Sequence, residues 1–273
     1  MTTTDRLTLA GFNAVDTEPH AAALVAALDE LTSLPAVLRL RASASELLAP
    51  QSGHHVVDVG CGTGTVVRAL AGIVGPTGSV LGIDASEIML AEAHRRTADR
   101  SLPVEFRRGD VTRLDLDDAG FDATHCERVF QHVDAPEAGM AELVRVTRPG
   151  GRIVVIDTDW GMHAIHGADP RLTSRVVECW AHTAASGWSG RRLPALFADA
   201  GISEPLVVAE TLTSSDSHRP FAPPFTTMAA TAERTGVLSP DEAATWLSQL
   251  ADATRRGHFF WAVTMFAVAG RRP

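Results

Sequence analysis

Val56-Val57-Asp58-Val59-Gly60-Cys61-Gly62-Thr63-Gly64 is an apolar strand that runs directly into a Gly-x-Gly-x-Gly turn, with helix-forming sequence after it. Glycine lets a backbone turn tightly and approach a ligand closely, because no Cβ intervenes. The helix N-terminus after such a turn presents unpaired N–H groups and the positive end of a dipole. Asp84 sits twenty residues past Gly64, at the end of a second apolar run, Val80-Leu81-Gly82-Ile83. A carboxylate there suits the two hydroxyls of a ribose. The stretch therefore reads as a nucleoside-cofactor site.

The spacing narrows the cofactor. A dinucleotide fingerprint, Gly-x-Gly-x-x-Gly, needs its third glycine at position 65, but Thr65 stands there and Gly64 comes one residue early. Asp58 also lies two residues before the first glycine. Acid-x-Gly-x-Gly-x-Gly resembles motif I of the class I S-adenosylmethionine methyltransferases. A cationic sulfonium suits an acidic pocket; a pyrophosphate does not.

Three further stretches carry the same resemblance. Gly109-Asp110-Val111-Thr112 follows the strand-like Val104-Glu105-Phe106. It resembles the pair whose Asp accepts the adenine amino group and whose next residue offers a backbone N–H. Phe121-Asp122-Ala123-Thr124-His125-Cys126-Glu127 resembles the fourth strand, which passes the methionine end of the cofactor. Arg148-Pro149-Gly150-Gly151, followed by Arg152-Ile153-Val154-Val155-Ile156-Asp157, resembles the turn into the fifth strand. The resemblance covers residues 50–160 well and the C-terminal third loosely.

It implies S-adenosyl-L-methionine as cofactor, with S-adenosyl-L-homocysteine as product. Its site would comprise Asp58, Gly60, Cys61, Gly62, Gly64, Asp84, Ala85, Asp110, Val111 and Glu127. Asp58 would orient the turn and the methionine end, Asp84 the ribose and Asp110 the adenine. The Glu127 side chain is also placed to pair with Arg128.

Composition constrains the rest. The chain has 273 residues, a formal net charge of −9 and 33 acidic against 24 basic side chains. No basic run exceeds two residues, which argues against a nucleic-acid partner. Three cysteines without a framework indicate a reduced, cytoplasmic setting. No apolar run is long enough to span a membrane, and the residues after Met1 lack a signal-peptide pattern. Tyrosine is absent, which leaves His, Asp, Glu and Cys for proton transfer.

Periodicity predicts a helix over residues 20–31 (Leu24, Leu28, Leu31) and another from Pro35 (Val37, Leu40, Ala44, Leu47, Leu48). The helix after Gly64 is expected to bury Val66, Leu70, Ile73 and Val74. Ser86 caps the next helix, and Met140, Leu143 and Val144 mark another. Alternating strands and helices give an α/β, Rossmann-like class I methyltransferase fold, with a seven-stranded, mostly parallel sheet and helices on both faces. Beyond residue 170, helices are expected over Leu172–Ser186 and Leu193–Ala200, with strands at Leu206–Ala209 and Phe259–Val268. In the resembled family the last two strands form an antiparallel hairpin with a short connection. Here residues 213–257 intervene, with a helix near 226–235 and a second opened by the capping box Ser239-Pro240-Asp241-Glu242. The expected organisation is an N-terminal helical cap over 1–50 and a core over 51–273, with a helical lid at 213–257. Cap and lid together would cover the acceptor.

Methyl transfer from a sulfonium is an in-line displacement, so the protein mainly positions and desolvates. His132, just past the fourth strand, is the candidate base, because an imidazole takes a proton near neutral pH. Asp159 is the candidate for fixing an acceptor amine or hydroxyl, with Trp160 as an apolar wall. Either residue can equally be structural. His163 and His166 lie near Asp157 and Asp159, but no second ligand cluster supports a metal. Phe221, Phe225, Trp246, Phe259, Phe260 and Trp261 place aromatics in the lid and the last strand, as core or as pocket wall. The expected partner is a small, largely apolar organic acceptor from secondary metabolism, methylated on carbon, oxygen or nitrogen. The alternatives are a cyclase-like enzyme that binds the cofactor without consuming it, and a quinone C-methyltransferase. The exposed N-terminal helices are where a homo-oligomer would form.

Overall fold

The structure is a computed structural model and describes residues 16, 21–98, 101–217 and 225–273. Two helices, α1 (Ala21–Ser33) and α2 (Pro35–Leu48), precede strand β1 (His55–Val59). The chain then alternates through α3 (Thr65–Val74), β2 (Ser79–Asp84), α4 (Glu87–Thr97), β3 (Val104–Arg108), β4 (Phe121–Glu127), α5 (Pro136–Val146) and β5 (Thr147–His166). Helices α6 (Pro170–Ala181) and α7 (Ser189–Asp199) lead to β6 (Ser203–Ser214). Helices α8 (Phe225–Arg234) and α9 (Pro240–Arg255) stand between β6 and the last strand, β7 (Phe260–Arg271).

The seven strands form one sheet in the order β3-β2-β1-β4-β5-β7-β6. The first five are parallel, and β7 runs antiparallel to both β5 and β6. Val56, Val57 and Val59 of β1 are all buried, as expected of a central parallel strand covered on both faces. The strand order reverses between β1 and β4, and the crevice beyond the carboxyl ends at such a switch point is where open α/β sheets bind ligands.

Most helix faces match their periodicity. Val37, Leu40, Ala44 and Leu48 of α2 are buried, and Ser86 caps α4 by accepting from the Met89 N–H. The capping box of α9 is complete and satisfies two otherwise orphaned donors. On α3 the buried stripe is Val67, Leu70, Ala71 and Val74, while Ile73 is exposed. The i, i+3, i+4, i+7 rule fits both stripes, so only the direction in which the glycine turn aims the helix separates them.

The C-terminal third departs more from expectation. Helix α6 ends at Ala181, and α7 begins at Ser189 with Pro194 inside it. Strand β6 runs for 12 residues rather than four, because β7 pairs with it along nearly its whole length. Strand β5 continues past Asp159 and resumes pairing with β7 at Ala164 after an irregularity. Helix α8 packs on α6 and α9. Phe225 meets Trp246 and Phe259 edge-on at 6.0 and 5.6 Å, and all three are buried; they are core residues. Phe221 lies outside the described residues. Among the described residues no helix is long and apolar enough to cross a membrane.

Candidate functional site

The glycine turn hangs from β2: the N–H groups of Gly60 and Cys61 both donate to the Ile83 carbonyl, at 2.7 and 2.8 Å. Gly60 and Gly64 have φ +77° and +74°, a region that side chains adopt at a cost. Their lack of a side chain is also demanded by neighbours. A Cβ on Gly60 would lie 2.0 Å from Val129 Cγ2, and one on Gly64 would lie 2.8 Å from Phe106 Cζ. Cys61 is buried. Burial first, then the nearby Asp58 and Asp84 charges, push its thiol far above the usual range, so it is an inert space-filler.

Asp84 closes the turn from the end of β2. Its Oδ2 accepts from the Gly62 N–H at 2.8 Å and its Oδ1 from the Ser86 N–H at 2.9 Å. Burial raises its carboxyl above the usual range against these two bonds. A carboxylate has about four lone-pair sites, so each oxygen keeps capacity for a further donor. Ala85 follows, exposed, with its carbonyl accepting from Arg108 Nε. Asp110 forms a local turn in which Oδ1 accepts from both the N–H and the hydroxyl of Thr112. Among the described residues nothing donates to Asp110 Oδ2. Val111 is buried and anchors this turn against Phe130 and Gly139. These donor-accepting carboxylates, spread from β2 to β3, fit a nucleoside with a ribose diol and an adenine amine. S-adenosylmethionine meets that description.

Asp16, the described residue of the N-terminal stretch, also caps α4. It accepts from Ser86 Oγ at 2.6 Å and from the N–H groups of Glu87 and Ile88. No periodicity signals it.

Three candidate residues are placed differently from expectation. Asp58 is 1% exposed and lies opposite His125 in the β1–β4 register. Its Oδ1 meets His125 Nδ1 at 2.7 Å; it braces two strands, with its charge close to Cys61 of the turn. Glu127 is held by Arg41 of α2, whose Nε and Nη2 take one oxygen each at 2.7 and 2.9 Å. Burial alone would raise the Glu127 carboxyl, but Arg41 and Arg128 outweigh it and hold it at about 2. Its side chain is thus held by α2, with Arg128 Nε, the expected partner, 3.2 Å from Oε1. Asp159 is fully buried, and both its oxygens accept from Arg191 of α7, with the Gly161 N–H as a further donor. It has no free face for an acceptor.

His132 ends a 3-10 turn, Phe130–His132. Trp160 Nε1, which can only donate, bonds Gln131 Oε1 at 2.9 Å. That fixes the amide, so Gln131 Nε2 donates to His132 Nε2 at 2.9 Å. The proton of the neutral ring therefore sits on Nδ1. Burial, with the Arg128 charge beside it, pulls His132 down to about 4. A base needs a free lone pair and a pKa near the working pH; this imidazole offers neither at Nε2. The same turn is tied to β5, where Asp157 Oδ2 accepts from the Gln131 N–H and from Ser189 Oγ.

Beyond Asp159, β5 and α6 border an open pocket of about 570 Å³ lined by residues including His163, Ile165, Thr173, Glu178, Trp188 and Phe260. His163 stacks on Trp160 at 5.7 Å and accepts from Trp261 Nε1 at 2.8 Å. Burial lowers it to about 3, so it is a neutral wall residue.

The comparisons with known proteins agree with this geometry. A family model described as "Methyltransferase domain" matches residues 56–151. The chain is 34% identical over 259 residues to the "Uncharacterized 37.1 kDa protein in transposon TN4556" of Streptomyces fradiae, covering 90% of this chain and 71% of that one. It is 40% identical over 119 residues to the demethylmenaquinone methyltransferase of Clavibacter sepedonicus, covering 43% of this chain and 46% of that one. The chain thus spans about half the length of that relative. Among solved structures, the YcgJ protein of Bacillus subtilis superposes with a TM-score of 0.57 at 18% identity, covering 85% of this chain and 97% of that one. That likeness is one of fold.

Proposed function

Because the chain belongs to the class I S-adenosylmethionine-dependent methyltransferases, we propose that it methylates a small, largely apolar organic molecule of secondary metabolism. The observation that carries this reading is Asp84, whose two oxygens each hold one backbone N–H of the site and keep capacity for a ribose hydroxyl. Bound S-adenosylmethionine supplies an electrophilic methyl group on sulfur, with S-adenosylhomocysteine as the leaving product. Asp84 and the Gly60–Gly64 turn would hold its ribose and methionine parts. Asp110 Oδ2 and the Val111 N–H would hold the adenine.

The protein's remaining task is positioning and exclusion of water. Helix α2 reaches the carboxyl edge through Arg41, and Leu28 of α1 stands 3.5 Å from where a Gly62 Cβ would be. Both support a cover made by the N-terminal helices. The β5–α6 pocket mixes apolar residues (Ile165, Val177, Trp188, Phe260) with polar ones (His166, Thr173, Ser174, Glu178), which supports an acceptor with an apolar body and polar groups. The α8–α9 insertion favours a secondary metabolite over a quinone. With the His132 Nε2 lone pair engaged, the reading favours an acceptor that attacks without help from a protein base.

The test is incubation of the protein with methyl-labelled S-adenosylmethionine and an extract of its own cells, followed by mass spectrometry. A labelled small molecule is the expected result. Tight binding of the cofactor with no label transferred would point instead to a cyclase-like use of it.

A further inference from the structure

Arg128 is the first residue after β4, and two features of it are costly to the fold. Its φ is +58°, a left-handed conformation that a residue with a Cβ adopts at a cost. Its guanidinium is also largely buried, with 13% of the side chain exposed, and a buried cation needs a partner. The adjacent carboxylate supplies one that it shares with a second cation. Glu127 already has both oxygens in the fork of Arg41. Arg128 Nε stands 3.2 Å from Glu127 Oε1 but makes no hydrogen bond there. Among the described residues none accepts a hydrogen bond from this guanidinium. Two guanidinium groups thus share one carboxylate, and the hydrogen-bond donors of Arg128 are left unmet.

The other charged and titratable neighbours accept no hydrogen bond from Arg128, although the buried Asp157 carboxylate attracts its charge. Asp157 accepts from the N–H groups of Gln131 and Thr158 and from Ser189 Oγ. His132 is neutral and accepts from Gln131. The position is also informative. Val129 packs over Gly60, and the Arg128 N–H donates to the Ile156 carbonyl of β5 at 2.7 Å. Arg128 therefore sits at the carboxyl end of β4, beside the switch point between β1 and β4, on the same edge of the sheet as Asp84 at the end of β2.

We propose that Arg128 is an anion clamp, and that the acceptor carries a carboxylate or phosphate group which this guanidinium pairs with. The proposal rests on the methyltransferase reading above. A guanidinium fork matches the two oxygens of such a group. An uncharged acceptor would leave the Arg128 fork without a hydrogen-bond acceptor, beside a cofactor that is itself cationic at sulfur. The strained backbone at Arg128 fits a residue kept for its ligand rather than for its fold.

The test compares 2-naphthoate with 2-naphthamide, by calorimetry on protein loaded with S-adenosylhomocysteine. The expected result is about tenfold tighter binding of the acid, the usual advantage of a charge-assisted over a neutral hydrogen bond. Arg128→Gly should abolish that preference and leave S-adenosylhomocysteine affinity unchanged. Glycine is at ease at this φ and Glu127 keeps Arg41, so this variant should fold; Arg128→Lys should retain part of the preference. Equal binding of acid and amide by the unaltered protein, or binding of neither, overturns the proposal. So does a preference that survives Arg128→Gly. A large loss of S-adenosylhomocysteine affinity in Arg128→Gly would assign the residue to the cofactor's own carboxylate and overturn it too. Failure of the unaltered protein to bind S-adenosylhomocysteine at all would instead refute the reading beneath it.

Discussion

Gly60→Ala tests why the first glycine of the turn is a glycine. The new Cβ would meet Val129 Cγ2 at 2.0 Å, with Val129 Cβ at 3.5 Å and Cγ1 at 3.9 Å. Only one methyl group is in the way. The backbone φ of +77° adds about 1 kcal/mol for any residue with a Cβ. Val129 is β-branched and stiff, so it must leave its rotamer or drag the turn with it, at about 1–3 kcal/mol. The total expected loss of stability is about 2–4 kcal/mol. Removing the obstructing methyl should separate the two parts. In a Val129→Ala background Gly60→Ala should cost only the backbone share, about 1 kcal/mol. The assay is urea unfolding of the four proteins of this cycle, with slopes checked for constancy. A coupling energy near zero would refute the reasoning, because Gly60 would then be required by its backbone conformation or by the ligand, not by Val129.

Asp84→Ala should weaken S-adenosylhomocysteine binding by about 2–3 kcal/mol, the worth of charge-assisted hydrogen bonds to a carboxylate; unchanged affinity by calorimetry would remove Asp84 from the ribose site. Glu127 titrates at about 2 in the fold against an ordinary 4.5, so it contributes stability above its unfolded pKa and loses it as pH falls through the folded one. Glu127→Gln should therefore flatten the drop in unfolding free energy between pH 5 and about 2, and an equally steep drop in the variant would count against the Arg41–Glu127 pair. With the labelled acceptor in hand, His132→Asn should keep kcat within about tenfold, below the usual 10²–10⁴ worth of a general base. A larger loss, together with an acid limb near pH 6.5, would restore His132 as the base. Asp159→Asn should lower the melting temperature with little change in the acceptor KM, because Asp159 faces Arg191 rather than the site; a selective rise in KM would contradict that placement.

The order of strands and helices was legible because it depends on residues close in the chain. Alternation, the i, i+3, i+4 stripes, the Ser86 cap and the Ser239–Glu242 capping box each involve neighbours within about two turns. The Gly60–Gly64 turn and Asp84 were readable for the same reason, since their spacing is set by one β-turn-α unit and the next strand. The side-chain pairings of the site were not readable. Arg41 and Glu127 are 86 residues apart, Asp58 and His125 are 67 apart, and Trp160 and Gln131 are 29 apart. Arg41 carried no signal at all, being one more polar residue on an amphipathic helix.

Sequence alone thus determined the sheet, its switch point and the acids that stand at the ends of β2 and β3. Tertiary structure decided which of the remaining polar groups are spent. A titratable side chain has the same letter whether it is paired or not, and whether Asp58, Asp159 or His132 can act depends on which distant donor the packing brings against it. The same packing left Arg128 Nε without a hydrogen-bond acceptor among the described residues, because Arg41 holds both oxygens of Glu127.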